Sequence, residues 1–228
     1  MKDTKYFQKA EVMMRSIPVN LLWFFCSITL NALGNSFMIV ANLGSAPWTA
    51  AGQNLVSILP VSIGVCIIIL NFFSFILSYL MKTRLTLMTI IKSMALAFFF
   101  GMFIDLFVYV HHIVYVPENI WIRCLYSLIG INLVAVAVSI YFQAGSVYLP
   151  FDYLLQAFGK LKNNYTVGTI FCMSIPLSVS ILIIVFQHHV AGLGIGTILF
   201  MFGIGFLIDH YNRWIVIHKA PTQNAHSL

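Results

Sequence analysis

The chain has 228 residues, 61% of them hydrophobic and only 8% charged, with a formal net charge of +6. Soluble domains carry about 25% charged residues, so this chain has too few polar groups to cover a water-facing surface, and lipid is its expected solvent. Continuous apolar runs without period-two alternation exclude a β-barrel, and basic residues confined to short loops and tails, without interleaved aromatics, read as a topology signal and not as a nucleic-acid footprint.

In chain order, residues 1–18 form a mixed N-terminal segment. It is not expected to be a cleavable signal peptide, because no small-residue cleavage site follows the first apolar run. Six spans then follow at 19–42, 61–81, 88–110, 121–143, 165–187 and 191–212, each close to the roughly 20 apolar residues that cross a bilayer as a helix. The domain reading is a first three-span unit at 19–110, an external loop at 111–120, a second unit at 121–212 and a tail at 213–228. With the N-terminus in the cytoplasm, that side holds Lys2, Lys5, Lys9, Arg15, Lys82, Arg84, Lys92, Lys160, Lys162, Arg213 and Lys219, and only Arg123 falls on the other. The positive-inside rule then predicts an inner-membrane-type protein with both termini cytoplasmic.

The two units repeat one another. The first contains Asn42 to Thr49 (NLGSAPWT), Ser62 to Gly64 (SIG) and Gly101 to Phe107 (GMFIDLF); the second contains Gln143 to Asp152 (QAGSVYLPFD), Thr166 to Gly168 (TVG) and Gly205 to Tyr211 (GFLIDHY). Gly64 to Asp105 is 41 positions, and so is Gly168 to Asp209; the pairs Gly44-Ser45 and Gly145-Ser146 lie 101 apart, and Pro47 and Pro150 lie 103 apart. Because each unit has an odd number of spans, the second starts on the opposite side of the membrane. The expected fold is therefore an all-α transmembrane six-span bundle built from two inverted three-helix repeats, an architecture that recurs in secondary transporters.

Each unit also carries a short uncharged or weakly charged helix after its first span. Pro47 and Pro150 open these helices, as suits the first helical position, where no N–H is needed. Ser45 is a candidate cap, and Asp152 lies in a first turn, where an acid suits the positive dipole end. Two readings stand side by side. The helices lie on the surface, or they dip into the membrane as half-helices whose free N–H groups meet near the middle and receive an anion or polar group. In the second reading Ser45, Pro47, Trp48, Thr49, Gln53, Tyr148, Pro150, Asp152 and Gln156 are the candidate substrate-binding residues.

Asp105 and Asp209 lie within spans, where a charge costs at least about 2.5 kcal/mol, and they are the candidate proton- or ion-coupling residues; the other account puts each at headgroup depth or against a helix end. Lys92 is expected to snorkel. His111-His112 and His188-His189 read as loop histidines, because adjacent residues lack the i, i+4 spacing of metal ligands. Asn31, Asn35, Asn71 and Asn132 read as interhelical polar contacts, and Gly194, Gly196, Gly203 and Gly205 as points of close helix approach. Cys26, Cys66, Cys124 and Cys172 form no CxxC pair and read as small buried hydrophobes.

Four blocks, Ala41 to Leu55 (ANLGSAPWTAAGQNL), Ser62 to Gly64, Phe100 to Leu106 (FGMFIDL) and Gly194 to Thr197 (GIGT), resemble the YczE/YyaS/YitT family of bacterial integral membrane proteins, on its YczE side. The resemblance covers about residues 20–212 and implies a multi-spanning protein of the bacterial cell membrane with no assigned substrate. It also implies an acid directly after the Pro-Trp pair. This chain has Thr49 there and keeps an acid only in the second unit, as Asp152.

No serine-hydrolase elbow, zincin motif, phosphate loop or haem pair is present, so neither an enzyme activity nor a cofactor or metal is expected. The reading is a small-molecule secondary transporter for an anionic or zwitterionic solute, with the lipid bilayer and that solute as partners, a second copy of the chain as a candidate partner, and no nucleic acid. The rival is a non-transporting membrane scaffold for a partner complex. A channel ranks third, since head-to-head half-helices suit one but no Asn-Pro-Ala occurs.

Overall fold

The structure, a computed structural model, describes residues 17–81, 83, 85–145, 147–162 and 165–217. Most of the N-terminal segment, the end of the tail, and Lys2, Lys5, Lys9, Arg15, Lys82, Arg84, Ser146 and Lys219 of the sequence argument lie outside the described residues. The described chain is helical, in the order α1 (Ile17–Ala41), α2 (Pro47–Val56), α3 (Ile63–Leu80), α4 (Leu87–Val114), α5 (Ile120–Ala144), α6 (Pro150–Lys162), α7 (Tyr165–Gln187) and α8 (Ile195–Trp214). Six of these, α1, α3, α4, α5, α7 and α8, are long and apolar enough to cross a membrane. The 10 residues of α2 and 13 of α6 amount to about 15 and 20 Å at 1.5 Å per residue, short of the roughly 30 Å hydrocarbon core.

Local chemistry sets the helix starts. Ser62 Oγ accepts from Val65 N (3.3 Å), Thr86 Oγ1 from Thr89 N (3.2 Å) and Asn119 Oδ1 from Trp121 N (2.9 Å), each satisfying an orphan donor of the first turn. The expectation for Ser45 is corrected. The residue before Pro47 is Ala46, no side chain caps α2, and the Ser45 hydroxyl donates to Gln53 Oε1 at 2.6 Å.

The centre of the bundle is the crossing of α1 and α5, where two backbones touch. A Cβ on Gly34 would lie 2.8 Å from the Gly130 carbonyl oxygen, and one on Gly130 would lie 2.6 Å from that of Gly34. Lipid gives no hydrophobic drive between helices, so such close backbone packing carries the association. Around this pair, α4 packs on α1 and α8 on α5; α2 packs on α3 and on α7, and α6 packs on α7 and on α3. Ile28, Ile67, Phe100, Tyr141 and Leu149 anchor one buried cluster, and Met38, Val134, Phe200 and Ile204 a second. Large apolar side chains such as Leu22, Phe72, Phe73, Leu106 and Phe202 are exposed and form the belt a bilayer would cover.

Contacts at the helix ends define two faces. At the first, Arg123 at the start of α5 donates from Nε to Ala41 O (2.7 Å) and from Nη2 to Asn42 O (2.6 Å), and Gly196 N at the start of α8 donates to Leu43 O (2.8 Å). At the second, Gln143 near the end of α5 donates to Ile215 O (2.9 Å) and accepts from Ile217 N (3.1 Å), both beyond the end of α8. The histidine expectation is revised in part. His111 belongs to the last turn of α4, with its ring 4.5 Å from that of Phe37.

Candidate functional site

The chain leaves α1 in a tight turn, with Asn42 at φ +49° and Gly44 at φ +108°. Gly44 meets two demands: its positive φ favours glycine, and a Cβ there would lie 2.7 Å from both Gly194 N and Thr197 Oγ1. Ser45 N donates to Gly192 O (2.9 Å), which ties the turn to the α7–α8 connection. α2 then starts inside the bundle. Thr49 Oγ1 donates to Asn35 Oδ1 at 2.6 Å, and Asn35 is six residues short of the end of α1, about 9 Å along its axis. Asn35 Nδ2 in turn donates to Asn31 O and Oδ1 (2.9 Å each). At its far end α2 is held by Asn54, whose Oδ1 accepts from Ala191 N (3.2 Å).

The start of α6 is held by tyrosines. The Tyr141 hydroxyl donates to Asp152 Oδ2 at 2.8 Å and accepts from Leu149 N. The Tyr153 hydroxyl accepts from Tyr148 N (3.3 Å), and Ser93 of α4 donates to Tyr148 O. The two short-helix starts therefore differ: α2 has no side-chain cap, while the amides leading into α6 are taken by hydroxyls.

The two starts meet through their second residues. The Trp48 and Phe151 rings stack with centroids 5.7 Å apart and planes 19° from parallel. Pro47 and Pro150 beside them are fully buried. Trp48 also reaches Cys172, seven residues into α7 from its opposite-face end, about 10 Å. A ring from a helix that enters at one face thus touches structure well within the other half.

Asp152 is 6% exposed and lies outside the six long apolar helices. Burial pushes its carboxyl up to about 7, against the downward pull of the Tyr141 hydroxyl and the Leu149 backbone, and no basic side chain among the described residues offsets it. Tyr148 and Tyr153 are also pushed up, first by burial and then in part by the nearby Asp152 carboxyl.

Of the residues expected at the site, the structure brings Trp48, Pro47, Pro150, Tyr148 and Asp152 to the junction or its edge. Thr49 is turned to Asn35. Ser45 and Gln53 pair with each other beside Gly192, and Gln156 is half-buried further along α6. Asp105 lies elsewhere and has a specific partner set: Oδ1 accepts from Gly64 N (2.8 Å) and Oδ2 from the Ser62 hydroxyl (2.6 Å), which caps α3. Asp209 is exposed on α8. Phe151, Tyr141, Tyr153, Asn35 and Asn54 were missed as site residues. Phe151 could have been found, since it stands where Trp48 stands in the other unit. Among the described residues, no three His, Cys, Asp or Glu gather where they could hold a metal ion.

Six spanning-length helices with two short helices converging between them define a multi-pass helical membrane protein with an interior polar-aromatic junction. The chain belongs to the family described as a family of unknown function (DUF6198), whose model matches residues 19–213. That match does not tie the chain by name to the YczE-type family its blocks resemble. No curated protein and no solved structure matches it.

Proposed function

We propose that this protein is a small-molecule secondary transporter of the bacterial cell membrane, built from two inverted repeats, with its substrate site where α2 and α6 begin. One observation carries the reading: the Trp48–Phe151 stack at equivalent positions of two short helices that enter from opposite ends of the bundle. The helix pairings support the repeat. α1 with α4 corresponds to α5 with α8, α2 with α3 to α6 with α7, and α2 with α7 to α6 with α3, as a twofold axis in the membrane plane requires.

The favoured solute is zwitterionic. The uncapped start of α2 offers backbone N–H groups to a carboxylate. The buried Asp152 carboxyl, ringed by Tyr141, Tyr148 and Tyr153, offers an acceptor and aromatic faces to an ammonium group. This assigns proton or cation coupling to Asp152, because Asp105 already serves α3. Orientation with both termini in the cytoplasm rests on the basic-residue bias, with Arg123 the exception, bound to the end of α1.

The test is counterflow into proteoliposomes across a panel of amino acids, betaines and organic acids, with wild type and Asp152→Asn in parallel. Flux of a zwitterion that Asp152→Asn abolishes supports the reading. Absence of flux for every solute, with Pro47 and Pro150 substitutions harming folding alone, supports the scaffold instead.

A further inference from the structure

Asn71, at the middle of α3, reads from sequence as a contact between helices, but the structure gives it no partner on another helix. Its Nδ2 donates to Ile67 O of its own helix at 2.9 Å, which identifies the other amide atom as the oxygen. That oxygen, Oδ1, is buried and meets no donor among the described residues, and the residue is 1% exposed. Buried polar side-chain atoms are nearly always paired, so an orphan at this depth points to a partner the chain does not itself supply. Its neighbours place it at the junction. Ile67, one turn earlier, is what a Cβ on Gly52 of α2 would meet at 2.9 Å. Ile67 also shares a buried cluster with Tyr141 and Leu149, both bonded to Asp152. Phe75, one turn later, stacks on Tyr153 of α6 with ring centroids 6.1 Å apart. Asn71 therefore lies on α3 between its contact with α2 and its contact with α6.

A second acceptor is freed on α7. Pro176 is fully buried within that helix and has no N–H to give the Cys172 carbonyl. The Cys172 side chain touches Trp48 and donates to Phe151 O (3.6 Å), so this residue too belongs to the junction. Asp152 supplies the third: the Tyr141 hydroxyl takes one of its oxygens, and a carboxylate accepts through both. Acceptors thus stand on α3, α6 and α7, and a primary ammonium group carries three N–H donors. A quaternary ammonium group carries none, although a carboxylate and aromatic faces alone would take it.

We propose that Asn71 is the specificity-determining residue of the junction. Its Oδ1 accepts an N–H of the solute's ammonium group, so the solute is an amino-acid-like zwitterion with a primary amine and not a betaine. This rests on the transport reading above. The Trp48–Phe151 stack closes the junction in this conformation, and the solute reaches the acceptors by parting the rings. A site built to bond an N–H rejects the analogue that lacks it, because its buried acceptor is then left unpaired.

The test compares wild type with Asn71→Leu, a change of similar volume, in counterflow of glycine, alanine and serine, each against its N-trimethyl derivative. Wild type should favour the amino acid by about 100-fold or more, and Asn71→Leu should shrink that ratio by about ten-fold or more, through loss on the amino acid and not on the betaine. Thermal unfolding without solute gives an independent readout. Asn71→Leu removes an unpaired buried acceptor, so it should melt at or above the wild-type temperature. Equal flux of amino acid and betaine overturns the proposal, and so does a ratio that Asn71→Leu leaves unchanged, which size alone would produce; both results leave transport itself standing. An Asn71→Leu protein that melts below wild type also overturns it, by making the oxygen part of the resting structure. Flux of neither class brings down the transport reading and this proposal with it.

Discussion

Tyr141→Phe tests the heart of the junction, because it removes one oxygen and leaves the ring in place. That hydroxyl donates to Asp152 Oδ2 at 2.8 Å and accepts from Leu149 N, and its residue is only 3% exposed. Removing it strands a buried acceptor on Asp152 and a buried amide on Leu149. Each such group costs about 1–3 kcal/mol, so the loss is about 2–6 kcal/mol. For a chain of 150–250 residues, 1 kcal/mol moves Tm by about 2–4 °C, which gives a fall of roughly 4–24 °C. The assay is thermal unfolding of the purified protein in mild detergent, followed by circular dichroism. A double-mutant cycle with Asp152→Asn isolates the shared part, and the two changes together should cost less than their sum. A Tyr141→Phe protein that melts within about 1 °C of wild type, or that adds fully with Asp152→Asn, would refute the network.

Other outcomes follow from the same geometry. Gly130→Leu should prevent normal folding, since even a Cβ would press on Gly34 O at 2.6 Å, whereas Gly203→Leu, facing open space, should change stability by no more than about 0.5 kcal/mol; detergent melting curves of the pair give the contrast. Asp105→Ala should cost about 1–3 kcal/mol through loss of two hydrogen bonds at about 0.5–1.5 kcal/mol each, and Asp105→Asn less, because its amide oxygen can still accept from Gly64 N. Burial raises the Asp152 carboxyl from 3.8 to about 7, so the folded state binds the proton more tightly than the unfolded one. The associated stability is complete below about pH 4 and is lost as pH rises through about 7. Melting temperature should therefore fall between about pH 4 and 7 in wild type and level off above it, and fall less in Asp152→Asn.

The spans were legible because an apolar run of about 20 residues has one stable solution in lipid, with its backbone bonds satisfied within the segment. The expected 165–187 coincides with α7, and 121–143 lies within α5, whereas the last span begins at Ile195 and not at 191. There Gly192 and Gly194 are held in a turn by Ser45 and Leu43, contacts from about 150 residues away. The short helices were legible from Pro47 and Pro150, whose place at the first helical position is a local matter.

What the sequence hid was pairing across the bundle. Asp105 looked like a candidate coupling acid, because an acid inside an apolar run carries no mark of its partner. Its partner is the start of α3, 41 residues away, and the shared 41-residue spacing to glycine was the trace of that cap. Tyr141 stood in a span with nothing to distinguish it from a lipid-facing aromatic. Only the fold brings its hydroxyl to Asp152. Gly203 and Gly205 looked like contact points and face open space instead, since a small residue permits close approach without compelling it.

The account depends most on the two short helices meeting start to start inside the bundle. The direct measurement places Trp48→Cys and Phe151→Cys in a chain whose native cysteines are replaced by alanine, treats intact membranes with a short bismaleimide, and maps the linked peptides by mass spectrometry. The ring centroids are 5.7 Å apart, so the account predicts efficient linkage within one chain. Both positions labelled singly, with no link between them, would contradict it.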